Sequence, residues 1–292
     1  MRVLVVGSTG QLGHAFQYAR PDDAFVTAVS HEDCDVTDFS AVQSAVLAST
    51  PDVVVNLAAY TAVDLAETNR ENALAVNARG AGNVARAATL AGARTIYVST
   101  DYVFDGRRRD PYPVEAKPNP LNVYGESKLA GEREVQSEAP NSLIVRSGWL
   151  YSAHGKNFFL RILELADERK TLRVVDDQRG TPTSANDLAR VLWMCIARPD
   201  TRGTYHFANG GDATWYGFAR EIISLASARG LLERVPEVIP ISSDDHRAAA
   251  RRPAYSVLDT GKLLRALDLA SKPWQAALRD VIAELDVARN RS

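Results

Sequence analysis

A tyrosine and a lysine four residues apart, Tyr124 and Lys128, are the pair in this chain best suited to chemistry. On a helix that spacing projects both side chains from one face, roughly 6 Å apart along the axis. An ammonium beside a phenol favours the phenolate. Lys128 is therefore expected to bring Tyr124 down from its reference pKa near 10 towards working pH, where a proton donor or acceptor is most effective. Such a pair can interconvert a ketone and an alcohol. Upstream, Thr95-Ile-Tyr-Val98 is a β-branched and aromatic run suited to a buried strand, and Ser99, Thr100 and Asp101 follow it. A parallel strand delivers polar groups of this kind to the carboxyl edge of its sheet, where α/β folds place their sites.

The elements that must hold these groups alternate along the chain. Arg2–Val6 is an apolar strand, Gly7-Ser-Thr-Gly10-Gln11-Leu12-Gly13 a glycine loop, and a helical stretch runs on through about Ala19. One glycine of such a loop makes the tight turn, one admits a pyrophosphate close to backbone, and one lets helix and strand pack, while amides at the helix start favour phosphate charge. The spacing is GxxGxxG rather than the GxGxxG of many dehydrogenases. What distinguishes it from a bare structural turn is the strand before it and the helix after it.

A second strand, Phe25–Val29, ends at Ser30 and His31, where a doubly wound fold reads the adenosine ribose. An acid there would repel a 2′-phosphate, and none occurs before Glu32 and Asp33, so NADPH and NADH both stay open, with a lean towards NADPH. His31 stands either against that phosphate or in solvent. Asp35 and Val36 close the next turn, with Asp35 either facing an adenine or capping a helix beside Asp38 and Ser40.

Pro51–Ala59 reads as a third buried strand running into small residues, which let a dinucleotide lie close, followed by the loop Tyr60–Asp64. Residues 69–91 form a long alanine-rich helix with Asn77 on its apolar face, either ordering the site through its amide or satisfied by backbone. The charge- and proline-rich residues 107–121 read as a surface loop closing over one side of the cleft. A helix over 124–138 and a strand over 142–146 follow, and Trp149 leaves that strand beside the cleft, to pack on a sugar or nucleobase or into the core. Beyond about residue 155 the alternation weakens and a substrate lobe begins, with a turn-rich loop at Asp177–Thr183. A helix over 184–196 and a strand over 204–207 return to the main sheet, so the two units interleave. Arg251 and Arg252 precede a helix at 260–267, where paired guanidinium groups can clamp a diphosphate or form an exposed charged turn.

Composition bounds the rest. The 292 residues have room for one α/β unit plus a smaller lobe, organised as 1–154 with returning segments from about 184–207, and 155–292. Charged residues are 24% and the net charge is -2, so no basic surface advertises nucleic acid or an anionic membrane. No apolar run approaches the roughly 18 residues of a membrane span, and the first strand begins at residue 2, which points to a cytoplasmic enzyme. Cys34 and Cys195 are far apart and lack CxxC spacing, so neither a metal site nor a disulfide framework is expected.

Gly7-xx-Gly10-xx-Gly13, Ser99-Thr100-Asp101 and Tyr124-xxx-Lys128 together resemble the extended short-chain dehydrogenase/reductases, which act mostly on nucleotide sugars. Within them the chain resembles the dTDP-4-dehydrorhamnose reductase family. The resemblance rests on Ala59-Tyr60-Thr61-Ala-Val63-Asp64, Leu121-Asn-Val-Tyr-Gly-Glu-Ser-Lys128, Asp177-Gln-Arg-Gly-Thr-Pro-Thr183, Thr214-Trp-Tyr216 and Arg251-Arg-Pro-x-x-Ser-x-Leu-Asp259, and so spans nearly the whole chain. It implies a Rossmann-like doubly wound parallel sheet with a smaller C-terminal lobe. It also implies reduction by NAD(P)H of the C4 ketone of a dTDP-4-dehydro-6-deoxysugar, giving dTDP-L-rhamnose. Thr100, Tyr124 and Lys128 would be catalytic. Gly7, Gly10, Gln11, Leu12, Gly13, Ser30, Asp35, Val36, Ala59, Tyr60, Thr61 and Ser99 would hold the cofactor, with Tyr124 and Lys128 shared, and Val63, Thr100, Asp101, Trp149 and Arg252 would hold the sugar nucleotide. Some dimers in the family are joined through acidic residues, one of them two positions after the third glycine; Ala15 stands there, which leaves a monomer or a homodimer without a bridging metal.

A related 4,6-dehydratase would carry an acid after Thr100-Asp101, where this chain has Tyr102. A 4-epimerase or another ketosugar reductase would keep the same triad, and a regulatory subunit of this fold would have no need of it.

Overall fold

The computed structural model describes residues 1–289. Its centre is a sheet of six parallel strands: β1 (Arg2–Val6), β2 (Phe25–Val29), β3 (Val53–Asn56), β4 (Arg94–Thr100), β5 (Leu143–Ser147) and β6 (Gly203–His206), in the spatial order β2-β1-β3-β4-β5-β6. This is the doubly wound Rossmann-like arrangement expected from the alternation. β1 shows how the sequence dictates it. Val3 and Val5 face one helical layer and Leu4 and Val6 the other, all at most 1% exposed, because successive residues of a strand point to opposite faces. Gln11–Tyr18, Ala185–Ile196 and Gly261–Leu267 pack on the first face, and Phe39–Ser49 and Ala81–Leu90 on the second.

The chain leaves β1 for β2 on one side, and β3 lies on the other, so the strand order reverses between β1 and β3. A crevice opens at such a point, beyond the carboxyl ends of the strands. The glycine loop enters it in a shape only glycine allows. Gly7 has φ +84°, and a Cβ there would lie 2.6 Å from the Ala58 backbone nitrogen. A Cβ at Gly13 would meet the Ser8 carbonyl oxygen at 2.4 Å, so that glycine is what lets helix and loop touch.

The segment expected as one long helix is interrupted. Arg70–Leu74 and Ala81–Leu90 are α-helical, but Ala75–Gly80 between them is a π-helix. The extra residue in that turn carries Asn77, fully buried, whose amide accepts from the Tyr60 N–H at 2.8 Å and donates to the Tyr60 carbonyl at 3.0 Å and to Ser127 Oγ at 2.9 Å. The Ser127 hydroxyl donates in turn to the Tyr124 carbonyl at 2.8 Å. Both roles open to Asn77 in the sequence are met at once: backbone groups of Tyr60 satisfy the amide, and its bond to Ser127 links two elements. It ties the loop after β3 to the helix that carries Tyr124.

A second apolar core lies beyond the sheet. Phe158–Glu168, Trp215–Ala228 and Trp274–Arg289 bury Phe159, Ile162, Phe218, Ile222, Leu278 and Val281 together, beside a parallel pair of strands, Thr171–Val175 and Glu237–Ile241. The proline-rich loop does not close over the cleft. It runs along the 251–259 segment, with the Tyr112 N–H donating to the Val257 carbonyl and the Asp259 N–H to the Tyr112 carbonyl, both at 2.8 Å. The stacking of Tyr112 on Phe104 at 4.2 Å holds it there.

Candidate active site

Between the carboxyl edge of the sheet and the second core lies a cleft of about 860 Å³. Gly7, Gly10, Gln11, Leu12 and Gly13 border one end, Ala59, Thr61, Val63, Ser99, Thr100, Asp101, Tyr124 and Lys128 its middle, and Trp149, Trp215 and Arg252 the other. Most residues singled out from the sequence therefore meet in one place.

The helix Val123–Glu138 brings Tyr124 there. Asn122 caps it, its Oδ1 accepting from the Gly125 N–H and its Nδ2 donating to the Arg251 carbonyl, both at 2.8 Å. A Cβ at Gly125 would lie 2.2 Å from the Tyr102 carbonyl oxygen, so the first helical turn is pressed against the end of β4. Thr100 at that end donates to Asp101 Oδ1 at 3.1 Å and accepts from the Tyr102 N–H at 3.2 Å. Asp101 is 2% exposed, and burial pushes its carboxyl up to about 6 against the hydroxyls of Ser256 and Thr100. Close by in the same cleft, the buried Ser147 hydroxyl has no partner within the protein.

The electrostatics of the pair differ from the expectation. Burial pushes the Tyr124 phenol up to about 12, although the Thr100 hydroxyl draws it back in part, and the Asp101 charge adds to the rise. Lys128 does not offset this. Its Nζ is aimed at β4, donating to the Val98 carbonyl at 2.7 Å and lying 4.1 Å from the centre of the Tyr97 ring. The i to i+4 spacing put both residues on one face, but the lysine stem folds inward, and desolvation outweighs an ammonium held elsewhere. Burial likewise pushes Lys128 down to about 7, with Glu132 opposing. Tyr124 is thus a phenol, a proton donor, at neutral pH.

The remaining sequence-marked residues divide. The N-cap of Gln11–Tyr18 is Gly10, which makes no side-chain cap, so the first amides keep their donors for an anion. A Cβ at Gly10 would come no nearer than 3.6 Å to protein, in contrast to the closed spaces at Gly7 and Gly13. An open helix start at the switch point fits the diphosphate of a dinucleotide. Ser30, Asp35, Val36 and Tyr60 do not border the cleft. Ser30 donates from both N–H and hydroxyl to Asp33, at 2.9 and 2.7 Å; the acid missing from the end of β2 folds back onto it from three residues on. Asp35 accepts from the N–H and hydroxyl of Thr37 at 2.9 and 2.8 Å, while Asp38 caps the following helix. Val36 is buried under Gly80, and Tyr60 packs with Ala66, Ala73, Val123 and Tyr124. The Ser99 hydroxyl donates into the protein, to Glu132 at 2.5 Å.

At the lobe end Trp149, in the left-handed region at φ +49°, stacks on Trp215 with ring centres 3.4 Å apart and planes at 3°. The Trp215 N–H donates to Gln178 at 3.1 Å, and Phe158 extends the shelf at 4.6 Å. Arg252 lines the cleft, but Arg251 is exposed, so no pair of guanidinium groups forms. Arg252 instead grips Asp64 fork to fork, at 2.7 and 3.1 Å. Sequence reasoning passed over Trp215 as a site residue, along with Gln178, Phe158 and the buried pair of Glu132 and Arg146. A charged residue inside the otherwise apolar β5 was the signal for that pair.

The model of the RmlD substrate binding domain matches residues 1–287. The chain belongs to this family. The dTDP-4-dehydrorhamnose reductase of Sinorhizobium fredii is 40% identical to it over 290 residues, 97% of each protein. The crystal structure of dTDP-4-dehydrorhamnose reductase from Bacillus anthracis in complex with NADP superposes with a TM-score of 0.92 at 38% identity, covering 97% of this chain and 99% of that one. An ortholog from Clostridium acetobutylicum gives 0.92 at 36% identity, covering 98% and 99%. The family resemblance read from the motifs is thus borne out over nearly the whole chain.

Proposed function

We propose that this protein catalyses the NAD(P)H-dependent reduction of the C4 ketone of dTDP-4-dehydro-β-L-rhamnose to dTDP-L-rhamnose, the last step of dTDP-rhamnose biosynthesis. The observation that carries the reading is the convergence of Thr100, Asp101, Tyr124 and Lys128 in one cleft with an open glycine-loop helix start, in a chain whose relatives bear this name. NADP(H) is the cofactor we favour, held by the glycine loop, Ala59 and Thr61; when bound, it supplies the hydride. Tyr124, kept as a phenol by burial, gives its proton to the oxygen of the former ketone, and the Thr100 hydroxyl turns from Asp101 to donate to the same oxygen. The phenolate left behind takes a proton back from solvent.

The shelf of Trp149 and Trp215 gives a sugar or base a flat apolar face, and Arg252 offers a cation to the diphosphate once it lets go of Asp64. The two cores support a division into a dinucleotide-binding unit, 1–154 with 184–207, and an interleaved substrate lobe within 155–292. We further propose a cytoplasmic monomer or homodimer; no helix among the described residues is long and apolar enough to cross a membrane.

The test is loss of nicotinamide absorbance with the dTDP-ketosugar generated in place by the upstream dehydratase and epimerase, with NADPH and NADH in parallel. Oxidation that depends on the epimerase supports the reading. Oxidation without it points to another ketosugar, and tight NADPH binding without oxidation points to a regulatory subunit.

A further inference from the structure

Beneath Lys128, on the side away from the cleft, a second set of charges is built into the same helix. Glu132 lies one turn further on and is 2% exposed. Its carboxylate accepts from Arg146 Nε and Nη2, at 2.8 and 2.7 Å, and from the Ser99 hydroxyl at 2.5 Å. Arg146, 5% exposed, stands in β5, and its Nη1 lies 3.5 Å from His206 Nε2 on β6. The other ring nitrogen of His206 meets the Tyr112 carbonyl at 3.1 Å, and burial with the Arg146 charge pushes this histidine down to about 3, so it is neutral.

Ser99 follows Val98, whose carbonyl holds the Lys128 ammonium. The strand residue that anchors Lys128 is therefore the covalent neighbour of the one that hydrogen-bonds the Glu132 carboxylate. The other groups around Lys128 do not supply a negative charge at neutral pH from so close: Tyr97 on β4 and Tyr124 on its own helix are both held as phenols by burial, and Asp101 lies out at the end of β4, beside Tyr124. Among these groups the sum is one carboxylate against two cations, Lys128 and Arg146.

We infer that Glu132 is a positioning residue for the reduction, holding Lys128 through Ser99 and β4 and standing one turn along the same helix as the carboxylate that balances its charge. The inference rests on the catalytic reading of Lys128 given above. A buried ion pair is a costly way to fill a core and contributes little to stability over an apolar one, so a functional reason for this one is physically apt. Without the Glu132 charge, Lys128 and Arg146 are left as two buried cations in a poorly screening interior, and Lys128 is the one able to shed its proton.

The experiment follows NADPH binding by nicotinamide fluorescence, and turnover, between about pH 6 and 10. It compares the wild type with Glu132→Gln, Glu132→Asp, the double variant Glu132→Gln/Arg146→Met, and Lys128→Met to identify the limb that belongs to the lysine. Glu132→Gln is expected to move the basic limb down by about one pH unit, lowering NADPH affinity and turnover about tenfold on that limb. Glu132→Asp, which keeps the charge, is expected to hold the limb within a fraction of that shift. The double variant restores the original net charge and is expected to move the limb back towards the wild type, whereas a merely structural role makes it at least as damaged as the single variant. An unmoved limb in Glu132→Gln, or no recovery in the double variant, overturns the inference. If Glu132→Gln does not fold, the neutral pair carries the test by itself, and a limb displaced by a full unit there overturns it. A wild type that binds NADPH but does not reduce the ketosugar defeats the functional reading, while the NADPH-binding limb still decides the role of Glu132.

Discussion

The two ends of the cleft are made of different material. At the dinucleotide end the working surface is backbone, supplied by seven consecutive residues, Gly7–Gly13, and shaped by the places where a Cβ cannot fit. At the lobe end it is side chains drawn from far apart. Trp149 stacks on Trp215, a Cβ at Gly180 would meet the Trp149 indole at 2.4 Å, and Arg252 reaches Asp64 across 188 residues of sequence. Backbone donors recognise what all dinucleotides share, and an assembled aromatic shelf recognises what distinguishes one substrate from another. Tyr124 stands at the seam, on a helix that Asn122 ties to Arg251 on one side and Asn77 ties to the loop after β3 on the other.

The sharpest way to break this division is at the seam. Tyr124→Phe keeps the ring and removes the proton, so kcat should fall at least about a hundredfold in stopped-flow reduction while NADPH affinity survives. Near-normal turnover would take the proton donor away from Tyr124. At the backbone end, Gly13→Ala should cost about 1–3 kcal/mol in a denaturant melt and weaken NADPH by tenfold or more, because its Cβ would sit 2.4 Å from the Ser8 carbonyl oxygen. At the lobe end, Trp215→Ala should raise KM for the sugar nucleotide by about tenfold and leave KM for NADPH in place. Arg252→Ala should do the same by a smaller factor, since its guanidinium must first leave Asp64. Equal effects of these two on both substrates would erase the contrast between the ends.

The last effect is on stability alone and is set by pH. Asp101 is pushed up to about 6 in the fold, and an ordinary carboxyl titrates near 4. The folded protein therefore keeps a proton that the unfolded chain releases. That contribution is complete below the lower value and is lost as pH rises through the higher one. Over this window the free energy of unfolding should fall by up to about 3 kcal/mol, and urea titrations of Asp101→Asn should lack that component of the slope.

Much of this was legible in the chain. The apolar run of β1, the three glycines after it, the small residues closing β3 and the four-residue step from Tyr124 to Lys128 are local patterns, and local sterics and hydrogen bonding give each essentially one outcome. Direction and burial are not local. The sequence put Tyr124 and Lys128 on one helical face, but only the packed β4 shows the lysine turned to the Val98 carbonyl and the phenol raised rather than lowered. It marked Arg252 as a cation on a loop and said nothing of its pairing with Asp64, nor could it bring Trp149 onto Trp215. The π-turn that seats Asn77 has no composition of its own. Periodicity and turn chemistry act between neighbours in the chain, so the sequence by itself determined the strands of the central sheet, their alternation with helices and the glycine loop that borders the cleft. Desolvation and long-range pairing depend on which distant residues close the space around a group, and the tertiary structure alone decided those.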